Sequence, residues 1–296
     1  MGTLFGHVAP GSAFLLFGLW QLFNHIRLHA LHPSSYSPPV WFPYSRFRYL
    51  EPYFIMFGAI TNILFELFID PRHHQPLDTD GTIPSSHLHN VEHASISLAL
   101  AVYGAYAIVV DKISPKTPRY LTYLVGSFAF AQEFLLFHLH STDHTGPEGQ
   151  YHFFLQLIIF ASLVTTLLGI PFPNSFLVGF VRSLSIFFQG VWFIALGIML
   201  WTPSLLPKGC FLNDEDGRQV ARCRGEESLS RAKSLINVEF SWYFTIIMIF
   251  GMSFYLVLDK IYGDRRVEYS SLPTKEAKEE DSDDIESQKK RILGNS

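Results

Sequence analysis

The chain has 296 residues, 48% of them hydrophobic and 16% charged, whereas a typical soluble domain is roughly a quarter charged. A net charge of −4 leaves no electrostatic case for nucleic-acid binding. The 28 Phe and 13 Tyr suit either a large soluble core or a lipid-facing surface, and the lengths of the uncharged runs decide between them.

Seven runs reach or approach the ~20 mainly apolar residues that a helix needs to cross hydrocarbon. In chain order they are 8–26, without Asp, Glu, Lys or Arg; 52–69, interrupted by Glu66; 94–110; 120–137, interrupted by Glu133; 153–173; 183–201; and 240–258. The expected fold is all-α: a seven-transmembrane-helix bundle over residues 1–263, followed by a tail at 264–296. The first run lacks a basic n-region and is too long for a signal-peptide core, so it reads as a retained helix. Gly6 stands where a myristoylation motif has Ser or Thr.

Basic residues beside short loops set the orientation. One side holds Arg27, Arg46, Arg48, Lys112, Lys116, Arg119, Arg182, Lys260, Arg265 and Arg266, and the other has Arg72 until the sixth loop. That loop, 202–239, carries Lys208, Arg218, Arg222, Arg224, Arg231 and Lys233, but also Asp214, Glu215, Asp216, Glu226 and Glu227. The balance places the N-terminus outside and the C-terminus in the cytoplasm, in the plasma membrane or the endomembrane system. Cys210 and Cys223 share the sixth loop, where an outer location favours a disulfide; two free thiols are the alternative. The tail, with its EEDSDDIES stretch followed by KKR, is polar enough to be disordered. YSSL at 269–272 has the form of a tyrosine-based sorting signal, a pattern that also arises by chance.

The 13 histidines are unevenly distributed. The topology puts His7, His73, His74, His87, His89, His93, His138, His140, His144 and His152 at the outer face, with Glu66 and Glu133 one to two turns deep. Such groups are expensive in a membrane unless they pair, bind a metal or line water. His89 and His93 share a helix face, as do Glu133 and His140, whereas His138 and His140 diverge unless the helix end unwinds. Imidazole with carboxylate suits zinc by default, with iron and manganese as alternatives. The expected metal set is His93, His140 and His152 with Glu66 or Glu133, completed by His7 and His138. Interfacial polar residues satisfied by water and headgroups are the plainer account. No HExxH, GxSxG or phosphate-binding glycine loop occurs. Ser141, Asp143 and His144 lie too close in sequence to form a triad of the usual kind.

GHVAPG at 6–11, GLW at 18–20, Glu66-Leu67-Phe68, His93, FHLH at 137–140, His152, Arg182-Ser183, QGVWF at 189–193 and Gly197 follow one another along the chain. Together they resemble the transmembrane protein 45 family, multi-pass proteins without an assigned activity. STDHTGPEGQYHFFLQL at 141–157 is most similar to the plant branch, labelled for a viral response. The resemblance implies seven helices and recurrent polar residues at His7, Glu66, His93, His138, His140, His152, Arg182 and Gln189. Glu133 sits two residues nearer the paired histidines than in animal members, and Tyr243 stands where those often have His.

Three functions fit: a membrane enzyme with an outer metal centre, a transporter or channel for a metal ion or protons, or a receptor-like scaffold. A transporter needs polar residues continuing inward, for which Arg182, Gln189, Asn62 and Gln132 are candidates. The lipid bilayer is the expected partner, and nothing in the tail specifies a protein partner.

Overall fold

A computed structural model describes residues 4–43, 46–69, 75–113, 119–143, 146–215 and 218–270, with the backbone alone at 86, 140–143, 218 and 264–270. Among the described residues there are seven α-helices: α1 (Leu4–Leu31), α2 (Leu50–Leu64), α3 (Leu88–Ile113), α4 (Tyr120–Asp143), α5 (Pro147–Leu168), α6 (Phe176–Trp201) and α7 (Glu226–Ser270). A π-helical turn, Phe65–Ile69, extends α2. Six of the helices, α2 to α7, contain stretches long and apolar enough to cross a membrane. Large apolar side chains cover their outward faces, among them Phe57, Phe128, Leu177, Trp242 and Leu256, each more than 60% exposed. Water would not tolerate so continuous an apolar surface, and hydrocarbon would. The chain is an integral membrane protein.

Most helices extend beyond the apolar runs, because hydropathy marks only the hydrocarbon depth. The fifth is the exception. Its apolar run continues to Pro173, but α5 ends at Leu168, since Pro171 and Pro173 have no N–H to donate and the chain turns at Gly169. At the other extreme, α7 continues to Ser270, seven residues into the expected tail, as no proline intervenes before Pro273. Residues 271–296, with the second half of YSSL, lie outside the described residues.

Helix α6 is the most buried element, and α1 lies antiparallel along its whole length. His7 meets Gly197, Gly11 meets Gly190, Gly18 meets Phe187, and His25 meets Gly179. A Cβ on Gly18 would fall on the backbone of Phe187, and one on Gly190 on the backbone of Leu15. Glycine is therefore required at both places. The helices α5, α4, α3 and α2 continue round the bundle in that order, and α7 packs outside α1, α5 and α6. Helix α2 leans on α3 and meets α1 near its two ends, where the Phe5 and Phe65 rings lie 5.4 Å apart and Gln21 donates to Glu51.

The sixth loop is more ordered than its composition suggests. An antiparallel hairpin, β1 (Cys210–Glu215) and β2 (Arg218–Cys223), runs in register from Cys210↔Cys223 to Glu215↔Arg218, and α7 begins at Glu226. Its sequence signal is Asp216-Gly217 between the strands. Cys210 and Cys223 are joined by a disulfide at the open end of the hairpin. Across it, Arg222 donates twice to Glu215, at 2.7 and 2.6 Å. Arg222 together with Asn213 holds the Glu215 carboxyl down to about 2. That brace is present above the usual carboxylate range and is lost only as pH falls through the lowered value. Trp201 Nε1 donates to the Gln219 carbonyl at 3.1 Å, seating the hairpin on the end of α6. This is the hairpin end of the bundle, and the opposite one is the tail end.

Gly190→Phe and Gly58→Phe make the same chemical change at sites with opposite surroundings, since a Cβ at Gly58 meets nothing. Gly190→Phe should abolish the monodisperse peak of a fluorescent fusion in mild detergent, the overpacking costing at least ~1–3 kcal/mol. Gly58→Phe should elute like wild type.

Candidate functional site

Buried polar side chains occur at three depths in the bundle. At the hairpin end, Glu66 is fully buried on the π-helical turn, and Asn90 Nδ2 donates to its Oε2 at 2.9 Å. His93 Nδ1 lies 3.6 Å from the same oxygen, and the His89 ring stands edge-on to His93 at 5.8 Å. Across the bundle His7 stacks on Trp201 at 4.6 Å and lies 5.9 Å from His152. His152 Nδ1 is 2.9 Å from the Glu148 carbonyl. A carbonyl can only accept, so Nδ1 carries a proton.

The expected seven-residue metal set therefore separates. His7, Glu66, His93 and His152 are all buried at the hairpin end. Glu133 lies ten residues short of the end of α4, about 15 Å at 1.5 Å per residue, deeper than one to two turns. Its Oε1 accepts from Gln189 Nε2 at 2.5 Å. His138 is exposed, because α4 remains helical to Asp143 and does not unwind at the histidine pair. The side chain of His140 lies outside the described residues, as do His73, His74 and His144. Among the described residues no group of three His, Cys, Asp or Glu is arranged to hold a metal ion.

The tail-end cluster was not legible as a site. Arg182 and Tyr36 reach His25 from either side: Tyr36 Oη lies 2.5 Å from Nδ1, and an Arg182 terminal nitrogen lies 3.4 Å from Nε2. A guanidinium can only donate, so Nε2 accepts and Nδ1–H points at the tyrosine. Burial pushes the Tyr36 phenol up, so it stays neutral. Glu51, also buried, accepts from Gln21 and from the Phe42 backbone N–H. Arg119 reaches the Pro38 carbonyl, Ser37 and Asn174, stapling three tail-end loops together. The missed signal was the placement of Gln21, His25 and Glu51 at one end; none belongs to a motif.

A cavity of about 590 Å³ joins these levels. Its walls are mainly Phe, Leu, Ile and Ala from α1, α2, α3, α4 and α6, and its polar points include His93, Asn62, Glu133, Gln21 and Arg182. Gln132, expected on a polar route, is exposed and donates to the Ser95 carbonyl at 3.1 Å instead.

Residues 119–256 match a family of unknown function, DUF716. It is also known as transmembrane protein 45-like. The DUF716 match covers α4, α5, α6, the hairpin and most of α7, with Glu133, His138, His152, Arg182 and Gln189. His7, Glu66 and His93 precede it, and their likeness to that family rests on the short motifs alone.

Gln189→Leu should strand the Glu133 carboxyl and destabilise the protein by about 1–3 kcal/mol, visible as a lower melting temperature in detergent. Glu133→Gln keeps an acceptor for Gln189 and should fall much less. Equal losses would mean that the pair is not the stabilising element.

Proposed function

We propose that this chain is a seven-span membrane protein, N-terminus outside and C-terminus cytoplasmic, that binds an elongated and mainly apolar molecule within its helix bundle. The observation that carries the binding function is the cavity. Its volume of about 590 Å³ falls within the ~300–1,000 Å³ of small-molecule sites. Phe54, Phe57 and Leu64 line it and are also exposed on the outer surface, so it opens sideways between α1 and α2. The Phe5–Phe65 contact bounds this opening at one end and the Gln21–Glu51 bond at the other. Apolar surface flanks it, and a ligand reaches it from the bilayer.

Helix α1 counts as the seventh span because it matches α6, itself long and apolar enough, from end to end. Buried His7, Gln21 and His25 lower its hydropathy without facing lipid. The basic loops at the tail end and the disulfide at the hairpin end both support the orientation. The 141–157 stretch supports membership of the plant-type branch of the transmembrane protein 45 family.

A second reading is a divalent metal, zinc by default, at the hairpin end, held by His7, His93 and His152 with Glu66. Its support is that all four are buried at the same end of the bundle. Metal content of purified wild type and His93→Ala, measured beside folded yield, tests it. Metal lost with folding intact favours the site, and equal content in both proteins removes it.

For the binding function, solvent extraction and mass spectrometry of purified wild type should recover an apolar amphiphile near one per chain. Gly58→Phe, placing a ring at the cavity, should lose it while remaining monodisperse; equal recovery from both would overturn the reading. Protease added to sealed, right-side-out vesicles should spare a C-terminal tag, and its cleavage would invert the topology.

A further inference from the structure

Arg182 stands six residues into α6, about 9 Å from the tail end of that helix at 1.5 Å per residue. It is buried, and among the described residues lining the cavity it is the sole Lys or Arg. Its guanidinium lies over the Tyr123 ring at 4.9 Å and contacts His25. Among the described residues no carboxylate lies within ion-pair distance of it. Glu51 is close enough to be felt electrostatically, but its oxygens are taken by Gln21 and Phe42. A buried charge without a counter-ion is costly, and more so at membrane depth. Arg182 also has a side-chain hydrogen bond with Tyr123, so its partners are polar but neutral, and its positive charge has no anion beside it.

We infer that Arg182 receives the carboxylate of a long-chain fatty acid whose tail occupies the apolar cavity. The inference rests on the proposed binding function and specifies its ligand class. A carboxylate brings one negative charge and two oxygens in the geometry of a guanidinium fork. A phosphate monoester brings up to two charges, and among the described residues the cavity wall has one fixed cation to meet them. From Arg182 the wall continues past Ile186 to Phe193, eleven residues of α6 and about 16 Å, with Phe14 and Phe17 of α1 facing it. That length takes most of an extended acyl chain, and the cavity continues toward Phe5 and Phe65 for the rest. In the proposed orientation Arg182 lies in the cytoplasmic leaflet, one to two turns below the helix end. The acid would slide in head-first through the α1–α2 opening without its carboxylate crossing the midplane.

The experiment measures radiolabelled oleate binding to delipidated, detergent-purified protein, with oleyl alcohol, oleylamine and oleoyl lysophosphatidate as competitors. Wild type should bind oleate in preference to all three. Arg182→Gln should weaken oleate at least tenfold and leave oleyl alcohol unchanged, and Gly58→Phe should lose both. Equal oleate affinity in wild type and Arg182→Gln, with loss in Gly58→Phe, would overturn the role of Arg182 and leave the cavity function standing. Failure of wild type to bind either oleate or oleyl alcohol would overturn both. Should Arg182→Gln not fold, the wild-type competition still decides: a preference for oleylamine or lysophosphatidate over oleate overturns the inference.

Discussion

The close approach of α1 to α6 is the constraint on which the other helices depend. In hydrocarbon, apolar side chains gain nothing by leaving lipid for protein, so helices associate through van der Waals contact and polar pairs. Gly11 and Gly18 on α1, with Gly190 and Gly197 on α6, remove the side chains that would hold the backbones apart. The contact this permits is extensive, and it commits the inner face of α1 to α6. Helix α2, packed on α3, then meets α1 near its ends only weakly, and a gap remains between them. The cavity is thus a consequence of a seam elsewhere in the bundle.

Polar pairs fix what the glycines leave free. Glu66 with Asn90 ties the extension of α2 to α3, Glu133 with Gln189 ties α4 to α6, and Gln21 with Glu51 ties α1 to α2. Each joins two helices at a different depth, so together they set the vertical register as well as the neighbours. Arg182 differs from these residues. Its partners are the ring and side chain of Tyr123 and the His25 imidazole, all neutral, so its charge is stabilised without being neutralised. A cation without an anion beside it in an apolar chamber retains most of its attraction for one.

The hairpin end is closed differently from the tail end. A disulfide-braced hairpin sits over α5 and α6, with Trp201 and Gly146 against its second strand. At the tail end the loops are held by arginines, Arg119 on Pro38 and Arg48 on Asp111 at 2.8 and 3.0 Å. This asymmetry matches the cytoplasmic excess of basic residues in the proposed topology and the oxidising compartment that a disulfide needs.

The runs of uncharged residues determined by themselves that the chain is helical and resides in a membrane, because the length of an apolar segment is measured against a fixed hydrocarbon thickness. They also located the apolar middle of each of α2 to α7, but not the ends: α7 runs well past its apolar stretch on both sides, and Pro171 and Pro173 ended α5 inside one. Charge and cysteine placement supplied an orientation, and the glycines and recurrent polar residues supplied a resemblance. Which polar residues meet was decided by tertiary structure alone. Helical spacing relates residues on one helix, such as His89 and His93, but Glu133 found Gln189, 56 positions away, and His25 found Arg182, 157 positions away. The cavity is likewise invisible in a one-dimensional pattern. It exists because a backbone contact on one side of α1 prevents another on the other side, and no local sequence signal records a space between helices.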